Sequence, residues 1–443
     1  MSTEHRGAAV ARALAYLKRG EFARQLARKI AIPSCSQKAE HAGDLIKYLN
    51  EEIRPVLEEM GYNCVILQNP RSSIHPFLVA DRIEDEDLPT ILTYAHGDVV
   101  GGMEDRWSVG LSPWRLIERD GRFYGRGTAD NKGQHAIVVS ALAAVLEERG
   151  SFGFNSRFLI ETGEEVGSPG LEEICAAHSD DLLQADILIA SDGPRVSPKG
   201  LTLFLGARGV EAIDLICHMR DGEYHSGNWG GLLSNPAIRL AHAIAAIVSE
   251  QGEIRIPEWR PELPASIRRT LLAVPVEAGA DAPEIDPNWS EPELSLAEKL
   301  YGWNSFEVLS LIAGNPNNPV NAIPGVARAA LSLRYVEDTD PDDIVPALNR
   351  HLARHGFQDV MAIRSDRHEP SPATRLNPDD PWVDFIVRSM RQVARMDPVV
   401  LPNLGGSLPN AVFAHTLGLK TIWVPHSYVG CCQHGPDEHI PLD

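Results

Sequence analysis

Apolar, β-rich runs alternate with helical patterns through the first two hundred residues, and this alternation constrains the fold more than any other feature of the chain. The run "LPTILTYAHGDVV" is followed by the helical "GQHAIVVSALAAVLEERG", then by "SRFLIETGEE" and "ADILIASDGP". Strands that alternate with helices imply an α/β sheet covered by helices. Near Gly206 the pattern changes. From "LGARGVEAIDLICHMRD" the order is strand, helix ("NPAIRLAHAIAAIVSE"), then a proline- and acid-rich excursion from Ile256 to about Asn318, read as a long surface loop. A strand ("ARAALSLRYV"), a helix ("DPDDIVPALNRHLARHG") and another strand ("DVMAIRSD") follow. Two β-α-β units of this kind make a small two-layer α+β domain. After about Ser371 the first pattern returns, with a helix "PWVDFIVRSMRQVARM" and a strand "KTIWVPHS". The expected organisation is an α/β domain built from residues 1–205 and 372–443, interrupted by an inserted α+β domain, residues 206–371.

A chain of 443 residues is long enough to bury two such cores. Its formal net charge of -20 argues against a nucleic-acid surface and against anionic membranes. No apolar run reaches the length of a membrane-spanning helix, and the charged N-terminal stretch lacks the apolar core of a secretory signal. The cysteines, among them the vicinal Cys431 and Cys432, form no C-x-x-C pair and no disulfide-like framework, which suits a reducing compartment. A cytoplasmic protein is expected.

In an open α/β sheet, ligands bind outside the carboxyl ends of the strands. Here "ILTYAHGDVV" ends in His96 and Asp98, "RFLIETGEE" in Glu164 and Glu165, and "DILIASDGP" in Asp192, while "TIWVPHSYVGCCQHGPDEH" leads to His426 and His434. Asp130 opens a helix after the glycine-rich "GRFYGRGTADNKGQ". Any one of these residues alone reads as a core histidine or a turn carboxylate; together on one rim they form the ligand set that a pair of divalent ions requires, with zinc or manganese the expected occupants. The doublet Glu164-Glu165 then has a chemical reason: one carboxylate can hold an ion while its neighbour takes a proton from the attacking water.

Read together, "YAHGDVV", "GRGTADNKG", "ETGEEVGS", "SDGP", "YHSGNWGG", "NAIPGVARAALSLR", "GGSLPN" and "HGPDEHI" resemble, in the same order, the co-catalytic metallopeptidases and deacylases that include carnosinases, aminoacylases and bacterial glutamate carboxypeptidase. The resemblance implies an α/β catalytic domain with a mixed sheet flanked by helices, of the phosphorylase/hydrolase-like zinc exopeptidase type. It also implies two zinc or manganese ions per subunit, an inserted α+β lid, and a homodimer built through that lid. By matching position, His96 and His434 resemble the imidazole ligands, Asp130 the bridging carboxylate, and Glu165 and Asp192 the terminal carboxylate ligands. Glu164 resembles the general base, and Asp98 the carboxylate that fixes a ligand imidazole. The resemblance further implies a cis peptide bond between Asp130 and Asn131.

Three lid features carry over in the same way. His225 of "YHSGNWGG" matches a histidine that reaches into the neighbouring subunit's site to stabilise an oxyanion. Asn321 of "NAIP" and Arg334 of "LSLR" match positions that bind the substrate's oxyanion and its carboxylate end. In the other domain, Gly406 and Ser407 of "GGSLPN" match a loop that donates hydrogen bonds to the substrate carboxylate.

The implied activity is hydrolysis of an amide bond in a small carboxylate-bearing substrate: a dipeptide, a peptide C-terminus or an N-acyl amino acid. The alternatives are an aminohydrolase acting on a non-peptide C–N bond and, behind it, a metal-binding protein without catalysis. The glycine spacing of "GRGTADNKG" matches neither the Walker nor the dinucleotide pattern, so a phosphate-cradling loop is set aside. Cys431 and Cys432, just before His434, raise the question of whether a thiol alters the metal preference.

Overall fold

The computed structural model describes residues 3–276, 284–367 and 371–442. Six strands of the first half and two near the other end form one mixed sheet: β1 (Asn63–Leu67), β2 (Phe77–Arg82), β3 (Thr90–His96), β4 (Asn155–Glu161), β5 (Ile187–Ala190), β6 (Thr202–Phe204), β13 (Val399–Leu401) and β14 (Lys420–Trp423). Their order across the sheet is β1-β2-β4-β3-β5-β14-β6-β13. The central neighbours β4, β3, β5 and β14 run parallel, so their carboxyl ends share one rim.

The continuous apolar runs in these strands follow from burial on both faces. Side chains alternate along a strand, so Leu92 and Tyr94 of β3 join Leu159, Leu188 and Trp423 in one core. Ala95 joins Phe158, Ile160, Tyr48 and Val139 in the core on the opposite face. Val139 comes from the helix Lys132–Arg149, which covers that second face.

The intervening chain adds β7 (Gly209–His218), β8 (Tyr224–His225), β9 (Ser305–Ala313), β10 (Ala322–Ile323), β11 (Val326–Tyr335) and β12 (Val360–Arg364). Four of these form an antiparallel sheet in the order β9-β11-β7-β12, while β8 and β10 pair as a separate ribbon. The helices Pro236–Ile247 and Ile344–Arg354 cover one face of the small sheet, burying Leu240, Ile247, Leu348 and Leu352 against Ile213, Leu215, Leu331 and Leu333. The first of these helices starts cleanly because Asn235 accepts the N–H of Ala237 at 2.9 Å, with Pro236 in the first turn.

The excursion after Ile256 is not a long surface loop. Ile256 and Trp259 are fully buried in the core of the small sheet. The short helices Ala265–Leu271 and Leu296–Tyr301 place Ile267, Leu271 and Ala297 in the core of the large sheet. Between them, the fully buried Glu291 takes hydrogen bonds from Arg260 at 2.9 Å and Trp303 at 3.2 Å. β9 then supplies an edge strand to the small sheet, absent from the sequence reading. Part of "EAGADAPEIDPNWSEPE", residues 277–283, lies outside the described residues. Prolines and acids are scattered through this stretch and hide its pattern, but its apolar residues reach both cores.

Candidate metal centre

Three strands of the common rim, β3, β4 and β5, deliver polar side chains at their ends or within four residues beyond them. His96 closes β3 directly opposite Glu161, the last residue of β4. A single helical turn after β4 carries Glu164 and Glu165, and Asp192 stands two residues beyond β5. Asp130 stands one residue before Asn131, the N-cap of the helix Lys132–Arg149, and the peptide bond Asp130-Asn131 is cis. His434 arrives from the loop beyond β14.

These side chains meet. His96 Nε2 lies 2.9 Å from Asp130 Oδ1 and 3.4 Å from Asp192 Oδ2. His434 Nε2 lies 3.0 Å from both Asp130 Oδ2 and Glu165 Oε2. Two groups result, His96–Asp130–Asp192 and Asp130–Glu165–His434, each with its ligand atoms within 4.8 Å of one another. Asp130 belongs to both and turns one oxygen toward each imidazole. Glu164 belongs to neither, and neither do Cys431, Cys432 and His426.

Asp98 ties the centre together from below. Its Oδ1 is 3.4 Å from His96 Nδ1 and takes the backbone N–H of Glu164 at 3.3 Å. Its Oδ2 takes the backbone N–H of Glu165 at 3.1 Å. The other end of the turn is held by Glu161, a residue the sequence reading passed over: Tyr94 and Ser168 donate to its Oε1 at 2.7 and 2.9 Å. Burial, with Asp98 adding to it, pushes the Glu161 carboxyl up to about 7.

The electrostatics are those of a carboxylate-rich, nearly dry pocket. Burial lifts Glu164 well above the usual carboxylate range, helped by Asp192, Asp130 and Glu165 and opposed by His96. Burial likewise raises Glu165 to about 7, and raises Asp192, which also faces Asp130. Burial would raise Asp130 too, but His434 and His96 hold it well below its ordinary value. Burial disfavours charge on His96, yet hydrogen bonds to Asp130, Asp192 and Asp98 outweigh it and raise the imidazole. Hydrogen bonds to Asp130 and Glu165 carry His434 to about 10.

The donor set fits divalent ions. Imidazole nitrogens and carboxylate oxygens converge without a lysine or arginine among them, and Glu165 Oε1 is buried with no hydrogen-bond partner. Among converging imidazoles and carboxylates, such an oxygen is one that a cation would satisfy.

The glycine-rich loop before Asp130 holds an anion of the chain itself. Gly127, at a φ of 88° that favours glycine, donates its N–H to both oxygens of Glu438 at 3.0 Å. Ala129 and Asp130 donate to Glu438 Oε1 at 2.9 and 3.0 Å, and Arg126 donates to Oε2 at 2.6 Å. Glu438 is fully buried, and it too went unnoticed in the sequence.

Beside the doublet opens a cleft of about 890 Å³ whose walls include Glu164, Glu165, Arg71, Arg367, Ser407 and His415. Ser407 Oγ accepts from Arg334 Nη1 at 3.2 Å and donates to the Arg208 carbonyl at 3.2 Å. Arg208, which the sequence did not single out, is buried and donates from Nε and Nη2 to the Gly405 carbonyl at 3.0 and 2.6 Å. Burial, reinforced by the neighbouring Arg334, lowers the Arg208 guanidinium to about 10. Gly406 lies between the residues these arginines touch. Among the described residues neither arginine has an ion-pair partner.

His225 and Asn321 lie elsewhere. They belong to the β8/β10 ribbon and its flank, where Ser226 donates its N–H to the Asn321 carbonyl at 2.8 Å. His225 is exposed, and its Nδ1 accepts the N–H of Gly227 at 3.1 Å. Neither residue lines the cleft.

Known proteins are similar to this chain in sequence and in architecture. The chain is 29% identical over 455 residues to the Cys-Gly metallodipeptidase dug1 of Schizosaccharomyces pombe, covering 96% of this chain and 93% of that protein. It is 27% identical over 382 residues to the Beta-Ala-His dipeptidase of Mus musculus, covering 83% of this chain and 76% of that one. In fold it is similar to the M20 family metallo-carboxypeptidase Sso-CP2 from Sulfolobus solfataricus, with a TM-score of 0.76 at 24% identity, covering 96% of this chain and 95% of that one. Human carnosine dipeptidase 1 gives a TM-score of 0.72 at 23% identity, covering 97% and 94%. A sequence model described as peptidase family M20/M25/M40 matches residues 92–443, a span that contains every member of both ligand groups, and the chain belongs to that family.

Proposed function

We propose that this protein is a two-metal peptidase that cleaves the amide bond of a small substrate ending in a carboxylate: a dipeptide, a peptide C-terminus or an N-acyl amino acid. One observation carries the reading. Of two adjacent glutamates, Glu165 joins an ion-binding group and Glu164 does not, although Glu164 is held beside both groups by Asp98. His96, Asp130, Asp192, Glu165 and His434 would hold two zinc or manganese ions. Bound there, such ions supply Lewis acidity and a nucleophilic water near neutral pH.

The chain's own residues do the rest. Glu164, with its proton affinity raised by burial, accepts a proton from the attacking water and returns it to the leaving amine nitrogen as the C–N bond breaks. Asp98 keeps the imidazole of His96 and the doublet in register. Arg334 and Ser407, backed by Arg208, face the carboxylate of the substrate, since two neighbouring guanidiniums without an acidic partner are a ready anion site. The dipeptidase and carboxypeptidase names of its relatives support the substrate class.

His225 completes the site of a second copy in a homodimer formed through the small sheet. The open edge of β9, with Leu309, Leu311 and Ile312 more than half exposed, is the surface for that contact. We place the enzyme in the cytoplasm: all six cysteines are free, and no described helix is long and apolar enough to cross a membrane.

The test is amine release from a panel of dipeptides, N-acyl amino acids and aromatic amines, using protein loaded with zinc or manganese and Glu164→Ala as blank. The reading requires release from the first two classes that vanishes in the blank. Release from the aromatic amines alone would replace it with a non-peptide C–N hydrolase, and no release with two ions bound would leave a metal-binding protein.

A further inference from the structure

Glu438 is the most heavily bonded carboxylate of the centre, yet it belongs to neither ligand group. It stands four residues after His434. Its oxygens collect the N–H groups of Gly127, Ala129 and Asp130 and the guanidinium of Arg126. Arg126 in turn reaches the carbonyl of His434 from Nη2 at 3.5 Å. The backbone closes the same seam, because Gly125 donates its N–H to the Glu438 carbonyl at 3.0 Å. The loop that carries Asp130 and the loop that carries His434 are therefore fastened to one buried anion.

A carboxylate with no solvent exposure is tolerated only where donors replace its water. Those donors here are the Arg126 guanidinium and the backbone N–H groups of Gly127, Ala129 and Asp130, so the position of Asp130 is tied to that of Glu438. His96 and Asp192, by contrast, stand at the ends of β3 and β5 and make no contact with Glu438. The two ligand groups thus depend on Glu438 unequally: one has a single member tied to it, Asp130, and the other has two, Asp130 and His434.

We propose that Glu438 is a positioning residue that joins Asp130 to His434 and thereby sets the affinity of the ion position formed by Asp130, Glu165 and His434, leaving the His96–Asp130–Asp192 position largely to the strands. The proposal rests on the two-ion reading given above, and acts through the ligands rather than on the substrate. Residues that orient metal ligands typically change metal affinity by about 10- to 100-fold when replaced.

Glu438→Gln is nearly isosteric but turns an NH2 group toward N–H donors. The full-length chain, stripped of metal, is titrated with Mn2+ or Zn2+ by calorimetry, with bound metal counted by elemental analysis and thermal midpoints recorded with and without ion. The wild type is expected to bind two ions. Glu438→Gln should bind the ion of one position at least about tenfold more weakly and that of the other with a clearly smaller loss. Glu438→Asp, which keeps the charge but withdraws it by one methylene, should show the same selective loss in milder form. Equal weakening of both positions, or unchanged affinity at both, would overturn the proposal. Failure of both variants to fold would also overturn it, because Glu438 would then serve the fold rather than one ion position. A wild-type chain that takes fewer than two ions would defeat the two-ion reading itself, a result distinct from two ions bound equally by wild type and variant.

Discussion

The backbone N–H of Glu165 donates to Asp98 Oδ2 at 3.1 Å, so the residue two positions after His96 also fixes a ligand from the neighbouring strand. Asp98→Asn keeps the shape but offers one oxygen where two are used, and sets an NH2 group against an N–H donor. We expect kcat/KM to fall by about 10- to 100-fold, with the fold intact by circular dichroism. Steady-state kinetics at saturating metal decide the matter, and an unchanged kcat/KM would remove Asp98 from the machinery.

Ion uptake should expel protons. In the metal-free chain His434 sits at about 10 and Glu165 at about 7, and ions take only unprotonated ligands. Calorimetry at neutral pH in buffers of different ionisation enthalpy should show proton release on loading, and affinity should rise with pH until His434 has lost its proton. The sign for stability is the same for both residues. Their raised values stabilise the metal-free fold fully below the ordinary values of 6.5 and 4.5, and that contribution fades as pH climbs through about 10 and about 7. The thermal midpoint of the metal-free chain should therefore fall relative to the loaded chain from acid to alkaline pH. A gap that narrows would contradict the assignment of these two ligands.

Arg334→Met should separate binding from chemistry. Losing a hydrogen bond to a charged group costs about 1.5–3 kcal/mol, or roughly a tenfold rise in KM at the least, for substrates with a free carboxylate. Analogues carrying a C-terminal amide should be poor for the wild type and little changed by the substitution. Equal losses on acid and amide would show that Arg334 does not meet the carboxylate.

The strand ends were the legible part of this chain. Parallel neighbours must finish on one rim, so the His, Asp and Glu residues after β3, β4 and β5 could be grouped from spacing alone. Glu438 and Arg208 could not. Ala129 and Glu438 are 309 residues apart and Arg208 and Gly405 are 197 apart, and nothing local marks a glutamate or an arginine as buried. The helices Ala265–Leu271 and Leu296–Tyr301 are too short to display a helical period beside so many prolines, whereas the apolar run Phe306–Ala313 did carry a strand signal that the composition around it obscured.

If the exposed edge of β9 joins two copies, charge there should separate them. Leu311→Lys, at a residue half exposed in the single chain, is expected to give monomers by sedimentation and to lower turnover, because His225 would lose the site it serves. Mixing and co-refolding inactive His225→Ala with inactive Glu164→Ala should restore roughly a quarter of the wild-type activity, since statistical pairing of a two-fold dimer rebuilds one complete site in each mixed pair. No recovery would mean that each chain serves itself.

Asp130 and His434 meet across 304 residues of sequence, whereas His96, Asp130 and Asp192 lie within the first half of the chain. During synthesis the two ion positions therefore come into being at different times. A growing chain that has emerged past Asp192 already owns every ligand of one position, while the other, and the buried anion that steadies the loop of Asp130, await a segment made far later. An ion captured early would occupy a half-built centre, and the arrival of the "HGPDEH" segment would be the event that turns a metal-binding intermediate into a complete one.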